Sequence, residues 1–131
     1  MQVRYDQQTT NLILAAGRCA RGFGHSYVGD VHLLLALSEL PGKLGLLLRN
    51  RAVEPELLRQ LVAVLYGVGT SDLPLPQGLT EDARRVLQAA VREARTMNCR
   101  AVRPEHVLLG LLRQQKCGAQ EPHLTQASVI L

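Results

Sequence analysis

The sequence predicts an all-α fold that consists of two related helical repeats. Its 131 residues suit one domain, and a hydrophobic fraction of 47% is enough for a core of ordinary size. That core has to be mostly aliphatic, because the chain has one Phe, three Tyr and no Trp. Leu and Ala dominate the composition, and both favour helix over strand. The third observation is an internal repeat at an offset of 74 residues.

The repeat keeps its register from a first helix, through a loop, into a second helix. A chance likeness between two helices would rarely continue through the loop between them, so the pattern indicates an ancestral duplication. The identical pairs are Ala15/Ala89, Ala16/Ala90, Arg18/Arg92, Ala20/Ala94, Arg21/Arg95, Val28/Val102, His32/His106, Leu34/Leu108, Leu35/Leu109 and Leu37/Leu111.

Each repeat opens with an amphipathic helix, because apolar side chains recur there every three to four residues. Thr80, followed by Glu81 and Asp82, is typical of a helix start, since the hydroxyl caps the first turn and the carboxylates complement the helix dipole. The apolar stripes are Leu12, Ala15, Ala16, Cys19 and Ala20 in the first copy, and Ala83, Val86, Leu87, Ala90, Val91 and Ala94 in the second.

A loop and a more apolar helix follow in each copy. We expect this helix to start near Asp30 in the first copy and near Pro104 in the second, because both residue types suit the first turn. The run of Leu and Val residues behind these starts predicts the buried centre of each repeat.

The first copy continues with two further helices. Pro41-Gly42 ends the apolar helix, a short helix follows over about 43–50, and Pro55 starts another. Residues 67–78 form a Gly/Pro-containing linker, which is a candidate mobile segment.

We predict a single domain over residues 1–131. Repeat one covers about 10–66, the linker about 67–79, and repeat two about 80–131. The second copy departs from the first after Arg113, so its C-terminal part is predicted to be truncated or divergent, with a turn at 116–118.

Charge and composition argue against several classes of function. The net charge is +4, but the Arg residues are scattered along the helices, which is more typical of solvated helix faces than of a nucleic-acid-binding patch. Three cysteines, Cys19, Cys99 and Cys117, without a C-x-x-C motif predict reduced thiols in the cytoplasm. We find no signal-peptide pattern in residues 1–10 and no apolar run of membrane-spanning length, so no membrane partner is expected.

The loop and second helix of each copy resemble a known family. Gly-His-Ser-Tyr-Val-Gly-Asp-Val-His-Leu-Leu-Leu-Ala-Leu (24–37) and Ala-Val-Arg-Pro-Glu-His-Val-Leu-Leu-Gly-Leu-Leu (101–112) are similar to the repeat signature of the Clp N-terminal domain of AAA+ unfoldases such as ClpA and ClpC. The likeness covers about residues 10–115. It implies a pseudo-twofold, all-α domain of roughly eight helices that binds adaptor proteins or substrates and hydrolyses nothing.

The resemblance implies partners but no cofactor. Adaptor proteins or substrate polypeptides are expected, together with the rest of a Clp ATPase if the chain is part of a longer protein. The sequence has no G-x-x-x-x-G-K-S/T phosphate loop, and no arrangement typical of nucleophilic or acid–base catalysis stands out, so we predict no enzyme and no catalytic residue. The alternative is a nucleic-acid-binding or regulatory stand-alone helical domain.

The first candidate site is the pair of helix starts at Asp30–His32 and Pro104–His106, where free N–H groups and the helix dipole favour anions. The resemblance to ClpC-like members implies that a Glu just before the His at this helix start binds phosphorylated arginine. Glu105 keeps that carboxylate, whereas Val31 cannot pair with a guanidinium and Asp30 would repel a phosphate. We therefore hypothesise that the first start does not bind phosphoarginine, and the second stays open.

His32 and His106 have two interpretations. As functional residues they would be ligands, but neither has a partner at metal-binding spacing, so no metal site is predicted. The favoured interpretation is structural: a His in the first turn of a buried helix caps the helix or binds the preceding loop.

A peptide-binding surface is the third candidate. Phe23, Tyr27 and Tyr66, with Leu73 and Leu75 of the linker, would line a groove between the copies. Phe23 and Tyr27 would equally well plug their loop onto the core. Four arginines on the helix faces are further candidates for contact with an acidic adaptor, namely Arg18, Arg21, Arg92 and Arg95. As solvated residues on a helix face, they would need no such role.

Overall fold

Six helices and two very short strands make up the part of the chain that the computed structural model describes, residues 4–51, 53–66, 69 and 78–118. The all-α prediction is confirmed. The elements are β1 (Arg4–Tyr5), α1 (Gln7–Gly22), α2 (Asp30–Ser38), α3 (Lys43–Asn50), α4 (Pro55–Tyr66), α5 (Glu81–Thr96), β2 (Ala101–Val102) and α6 (Pro104–Gly118).

Two expectations for the rest of the chain have different outcomes. The prediction of a turn at 116–118 is wrong, because α6 continues through Gly118. The linker, except for residues 69, 78 and 79, lies outside the described residues, as does the segment 119–131 whose divergence was predicted. The repeat boundaries stay predictions.

The first helix of each copy begins and ends with the same hydrogen bonds. The Asp6 side chain accepts from the Thr9 N–H (2.7 Å), and the Thr80 hydroxyl accepts from the Ala83 N–H (3.1 Å). At the C-terminal ends of α1 and α5, the carbonyls of Ala20 and Ala94 accept hydrogen bonds from the N–H groups of residues 25 (2.9 Å) and 99 (2.8 Å). The duplication is therefore preserved in the backbone hydrogen bonding.

Left-handed backbone follows both of these helices, at equivalent positions. Gly24 has φ of 70°, and Asn98 has φ of 57°. Gly and Asn are the residue types that adopt this conformation most readily at a helix end. The loops can therefore turn back toward the core at the same place in each copy.

The segment that enters each copy pairs with the loop of the other copy. β1 pairs in parallel with β2, with Tyr5 opposite Val102, and Leu79 forms the equivalent parallel bridge to Val28. The Val102 carbonyl accepts from the Asp6 N–H (3.0 Å), as the Val28 carbonyl accepts from the Thr80 N–H (2.8 Å). This reciprocal exchange gives the pseudo-twofold arrangement of the two copies.

The core is centred on α2, in which every residue is buried, as predicted. The same prediction for the second copy is only partly correct, because Leu112 of α6 is 41% exposed. α1, α5 and α6 pack around it with their small Ala residues and their aliphatic side chains. Gly110 of α6 lets that helix approach α5 closely, because a Cβ at this position would lie 2.5 Å from the Val86 carbonyl oxygen. Burial of this aliphatic surface supplies the main driving force for folding.

α2 and α3 meet at a sharp bend of 103°. The Arg49 guanidinium stabilises the bend by donating to the carbonyl oxygens of Ser38 (2.8 Å) and Leu40 (3.2 Å), which are left unpaired by the end of α2. No single helix in the described part of the chain is long and apolar enough to cross a membrane. Together, α2 and α3 would be long and apolar enough, but they are bent at the junction between them.

Two glycine substitutions test this packing. In Gly110→Ala, the new methyl group meets the α5 backbone, so we expect the free energy of unfolding to fall by about 1–3 kcal/mol. The matched control is Gly17→Ala in α1, where no atom lies within 4 Å of the new Cβ, and where stability should rise by about 0.5–1 kcal/mol. Urea unfolding of both variants measures the difference, and equal stabilities would contradict the close approach of α5 and α6.

Candidate partner-binding surface

His32 and His106 cap their helices, in agreement with the structural interpretation. The Gly29 N–H donates to His32 Nδ1 (2.8 Å), and the Arg103 N–H donates to His106 Nδ1 (2.9 Å). Both imidazoles are buried. Each accepts from a backbone N–H just before its helix, a donor for which the helix itself offers no partner.

His32 also contacts the preceding loop through its second nitrogen. Its Nε2 lies 2.9 Å from His25 Nδ1. Because His32 Nδ1 accepts from a backbone N–H, the proton of the neutral ring is on Nε2 and points at His25. Burial, and to a lesser extent His25, lower the pKa of His32 to about 4. The ring is therefore neutral at neutral pH, which the cap requires.

Phe23 stacks on His25 and lies at a tilt to His32. Its ring centroid is 5.5 Å from that of His25, with the planes 15° apart, and the side chain is half-buried against the core. Phe23 therefore anchors its loop to the core, which is the structural one of its two interpretations. The equivalent residues in the second copy are Met97 and Cys99, so this ring cluster belongs to the first copy alone.

The two helix starts have different surfaces. Asp30 and Val31 are only 1% and 2% exposed, and the Asp30 carboxylate accepts from the Val31 N–H (3.0 Å). An internal carboxylate thus already occupies the anion-favouring end of α2. At the start of α6, Glu105 is exposed and lines a groove of about 410 Å³ together with Pro41 and Lys43.

Two open grooves of about 530 Å³ each run beside the exchanged segments. The α1 groove is lined by Ile13, Leu14, Gly17, Arg18, Arg21, Val28, Gly78 and Leu79. The α5 groove is lined by Tyr5, Leu79, Arg84, Leu87, Gln88, Val91, Arg92 and Arg95.

The two grooves are counterparts under the repeat. At the offset of 74, Ile13 corresponds to Leu87, and both arginines of the α1 groove correspond to arginines of the α5 groove. Leu79 lines both, so they are neighbours on one surface. The α1 groove is the more apolar of the two, since Leu14 is 57% exposed where the α5 groove has Gln88. Sequence reasoning named the four arginines as candidates but missed the aliphatic side chains beside them, such as Leu14 and Leu79.

The predicted aromatic groove is only partly within the described residues. Tyr27 is 48% exposed and so does not plug its loop fully onto the core. Leu73, Leu75 and the side chain of Tyr66 lie outside the described residues. A contribution of these three residues to a binding surface stays a prediction.

The described side chains form no cluster of three or more His, Cys, Asp or Glu that would hold a metal ion. Cys19 and Cys99 are free thiols. Burial, with a smaller contribution from Glu39, raises the pKa of the Cys19 thiol, which disfavours a nucleophilic thiolate there.

The lowered pKa of His32 predicts a loss of stability in mild acid. As the pH falls from 6.5 toward 4, the unfolded chain takes up a proton that the folded chain excludes, so folding should lose up to about 1.4 kcal/mol per pH unit. His32→Gln keeps an oxygen that can accept from the Gly29 N–H but removes the titration. Urea unfolding at several pH values should give a flatter profile for this variant below pH 6.5 and parallel profiles above it. Identical slopes in acid would contradict the assignment.

Comparison with known proteins agrees with the geometry. The family model described as the Clp repeat (R) N-terminal domain matches residues 4–123. The chain is 31% identical over 112 residues to the chloroplastic ATP-dependent Clp protease ATP-binding subunit ClpA homolog of Brassica napus. It has the same identity over the same length to the chloroplastic chaperone protein ClpC1 of Oryza sativa subsp. japonica. Each match covers 85% of this chain, but only 13% and 12% of those relatives.

Solved structures show the same fold. The N-terminal domain of the chaperone ClpD from Arabidopsis thaliana superposes with a TM-score of 0.66 at 25% identity, covering 82% of this chain and 76% of that one. A chain from a malarial protein secretion system gives 0.67 at 21% identity, with 82% and 75% covered, and supports the fold alone. The family match, the relatives and the reciprocal helical repeats together establish that this chain belongs to the Clp repeat N-terminal domain family.

Proposed function

We propose that this chain is a non-catalytic protein-interaction module that binds adaptor proteins or substrate polypeptides for a Clp-type ATP-dependent unfoldase. The observation that carries the proposal is the pair of adjoining grooves beside the exchanged segments. They are open, partly apolar and lined by exposed side chains, which is the character of a surface that takes a polypeptide.

The relatives support the same assignment in coarser terms. Their names describe an ATP-binding subunit of the Clp protease and a chaperone, and this chain matches only a small part of each. The name of the first describes ATP binding by the whole protein, and the part that this chain matches is an accessory domain. We propose cytoplasmic localisation on the thiol content, although these relatives are named as chloroplastic.

A nucleic-acid-binding function remains the alternative, on the basis of the net charge of +4. Binding that depends on phosphate contacts strengthens steeply as salt is lowered. Lack of binding to a DNA duplex at low salt therefore eliminates the alternative, whereas a salt-dependent shift would favour it.

Phosphoarginine binding is expected to be absent at the start of α2, since Asp30 is buried there and Val31 offers no polar group. Calorimetry with free phosphoarginine tests this for the whole module. Because the start of α6 stays open, the expectation concerns Glu105→Ala, from which we expect no heat of binding. Binding by the wild type that is lost in Glu105→Ala would place the ligand at the start of α6, and binding that persists in Glu105→Ala would contradict the expectation for α2.

Site-specific photo-crosslinking tests the proposed function. A benzoylphenylalanine replaces Leu14, which is 57% exposed in the α1 groove, and the matched control carries it at Val64, which is 80% exposed on α4 and does not line that groove. In the cells that make this protein, we expect the Leu14 probe, and not the Val64 probe, to crosslink to a Clp adaptor or to proteins that a Clp protease degrades. Equal patterns from the two probes, or crosslinks to nucleic acid, would contradict the proposal.

A further inference from the structure

We infer that the α1 and α5 grooves form one docking surface for an acidic polypeptide segment that also carries aliphatic side chains. The inference rests on the proposed function as a protein-interaction module and names the chemistry of its partner. It depends on which residues the two copies have kept identical, on the charge of the grooves, and on the apolar side chains between the charges.

Among the identical pairs that lie wholly within the described residues, the arginine pairs are the only ones exposed in both copies. The other identical pairs are buried or half-buried, and packing or capping accounts for them. Arg18/Arg92 and Arg21/Arg95 are exposed, so core packing does not explain their identity. Arg21 and Arg95 lie in the last turns of α1 and α5, where any cation complements the dipole. That effect fades within a turn and does not account for Arg18 and Arg92.

The positive charge of the grooves is not neutralised within the described residues. Arg84 of the α5 groove is exposed too, and none of the five groove arginines forms an ion pair with residues 4–51, 53–66, 69 or 78–118. Two carboxylates of α5 are paired with arginines outside the grooves: Glu81 with Arg85 (3.7 Å) and Glu93 with Arg113 (2.7 Å). The surface therefore has an excess of guanidinium groups, which complements a partner rich in Asp and Glu.

Aliphatic side chains lie between these charges and favour a polypeptide over a nucleic acid. Leu79 is common to both grooves, with Ile13 and Leu14 on one side and Leu87 and Val91 on the other. Proteins that hold single strands stack bases on successive aromatic rings, whereas Tyr5 is the one aromatic residue among the described residues that line these grooves. Leu, Ile and Val side chains of a partner can pack on such a surface while its carboxylates meet the arginines.

Charge reversal in the full chain tests the inference. The probe is a short fluorescein-labelled peptide of alternating Glu and Leu, measured by fluorescence anisotropy. We expect Arg92→Glu/Arg95→Glu and Arg18→Glu/Arg21→Glu each to weaken binding by about tenfold or more. The control Arg51→Glu/Arg100→Glu makes the same change in net charge at exposed arginines outside both grooves, and should weaken binding by less than about twofold.

Two further measurements complete the test. A Gln/Leu peptide of the same length should bind at least about tenfold more weakly than the Glu/Leu peptide. Glu/Leu peptide should also shift the methyl NMR signals of Leu79 and Val91. Equal weakening by groove and control reversals, or tighter binding of single-stranded DNA than of the Glu/Leu peptide, would overturn the inference. If a reversal variant fails to fold, judged by circular dichroism, the Arg→Gln pair replaces it with the same criterion.

The inference and the proposed function fail in different ways. If the Leu14 probe crosslinks to Clp partners while the groove reversals leave peptide binding unchanged, the interaction function stands and the acidic docking surface is wrong. If the reversals abolish binding of the Glu/Leu peptide while the Leu14 probe captures no Clp partner, the acidic surface stands and the Clp assignment of its partner is wrong.

Discussion

The exchange of entry segments between the two copies is the interaction on which the rest of the structure depends. Tyr5 pairs with Val102, and Leu79 pairs with Val28. The buried hydroxyl of Thr9 strengthens the first of these junctions by donating to the Val102 carbonyl (2.7 Å). Because each loop obtains backbone partners from the other copy, neither copy can satisfy its buried polar groups alone. The orientation of α1 and α5, and with it both grooves, follows from these two junctions.

Much of the fold was predictable, because its signals are local and periodic. The stripes of Ala and Leu in α1 and α5 identify helices, and the apolar run of α2 identifies the most buried one. The cap at Thr80 was also visible from residue type and position. The end of α6 is not predictable in this way: the sequence favours a turn at 116–118, whereas Gly118 is the last residue of the helix. A glycine marks a helix end without fixing on which side of it the helix stops.

The site was less predictable, because it arises from tertiary pairing. Strands of two residues are too short to leave an alternating pattern, so β1 and β2 gave no sequence signal. The contact between His25 and His32 was hidden by the repeat itself, since the equivalent of His25 is Cys99. The capping roles of His32 and His106 were recoverable, because two copies of the same residue at the same helix position argue for a structural task.

The duplication has preserved backbone hydrogen bonds more strictly than surface chemistry. Gly29 and Arg103 donate to equivalent histidines at nearly the same distance, yet one helix start carries a buried Asp30 and the other an exposed Glu105. The grooves differ in the same way, with Leu14 in one and Gln88 in the other. A scaffold held by main-chain contacts leaves its outward-facing side chains free to diverge, so the two copies carry equivalent positions of different chemistry.

The exchanged segments also determine the order in which the chain can fold. Thr9 and Val102 are 93 residues apart in sequence, so their hydrogen bond forms only after nearly the whole described chain is in place. The helix pairs α1–α2 and α5–α6 involve neighbouring elements and cost far less chain entropy to assemble. The two helical pairs should therefore form first, with the junctions closing late. Because Leu79 lines both grooves and belongs to one of these junctions, neither groove is complete until that junction has closed.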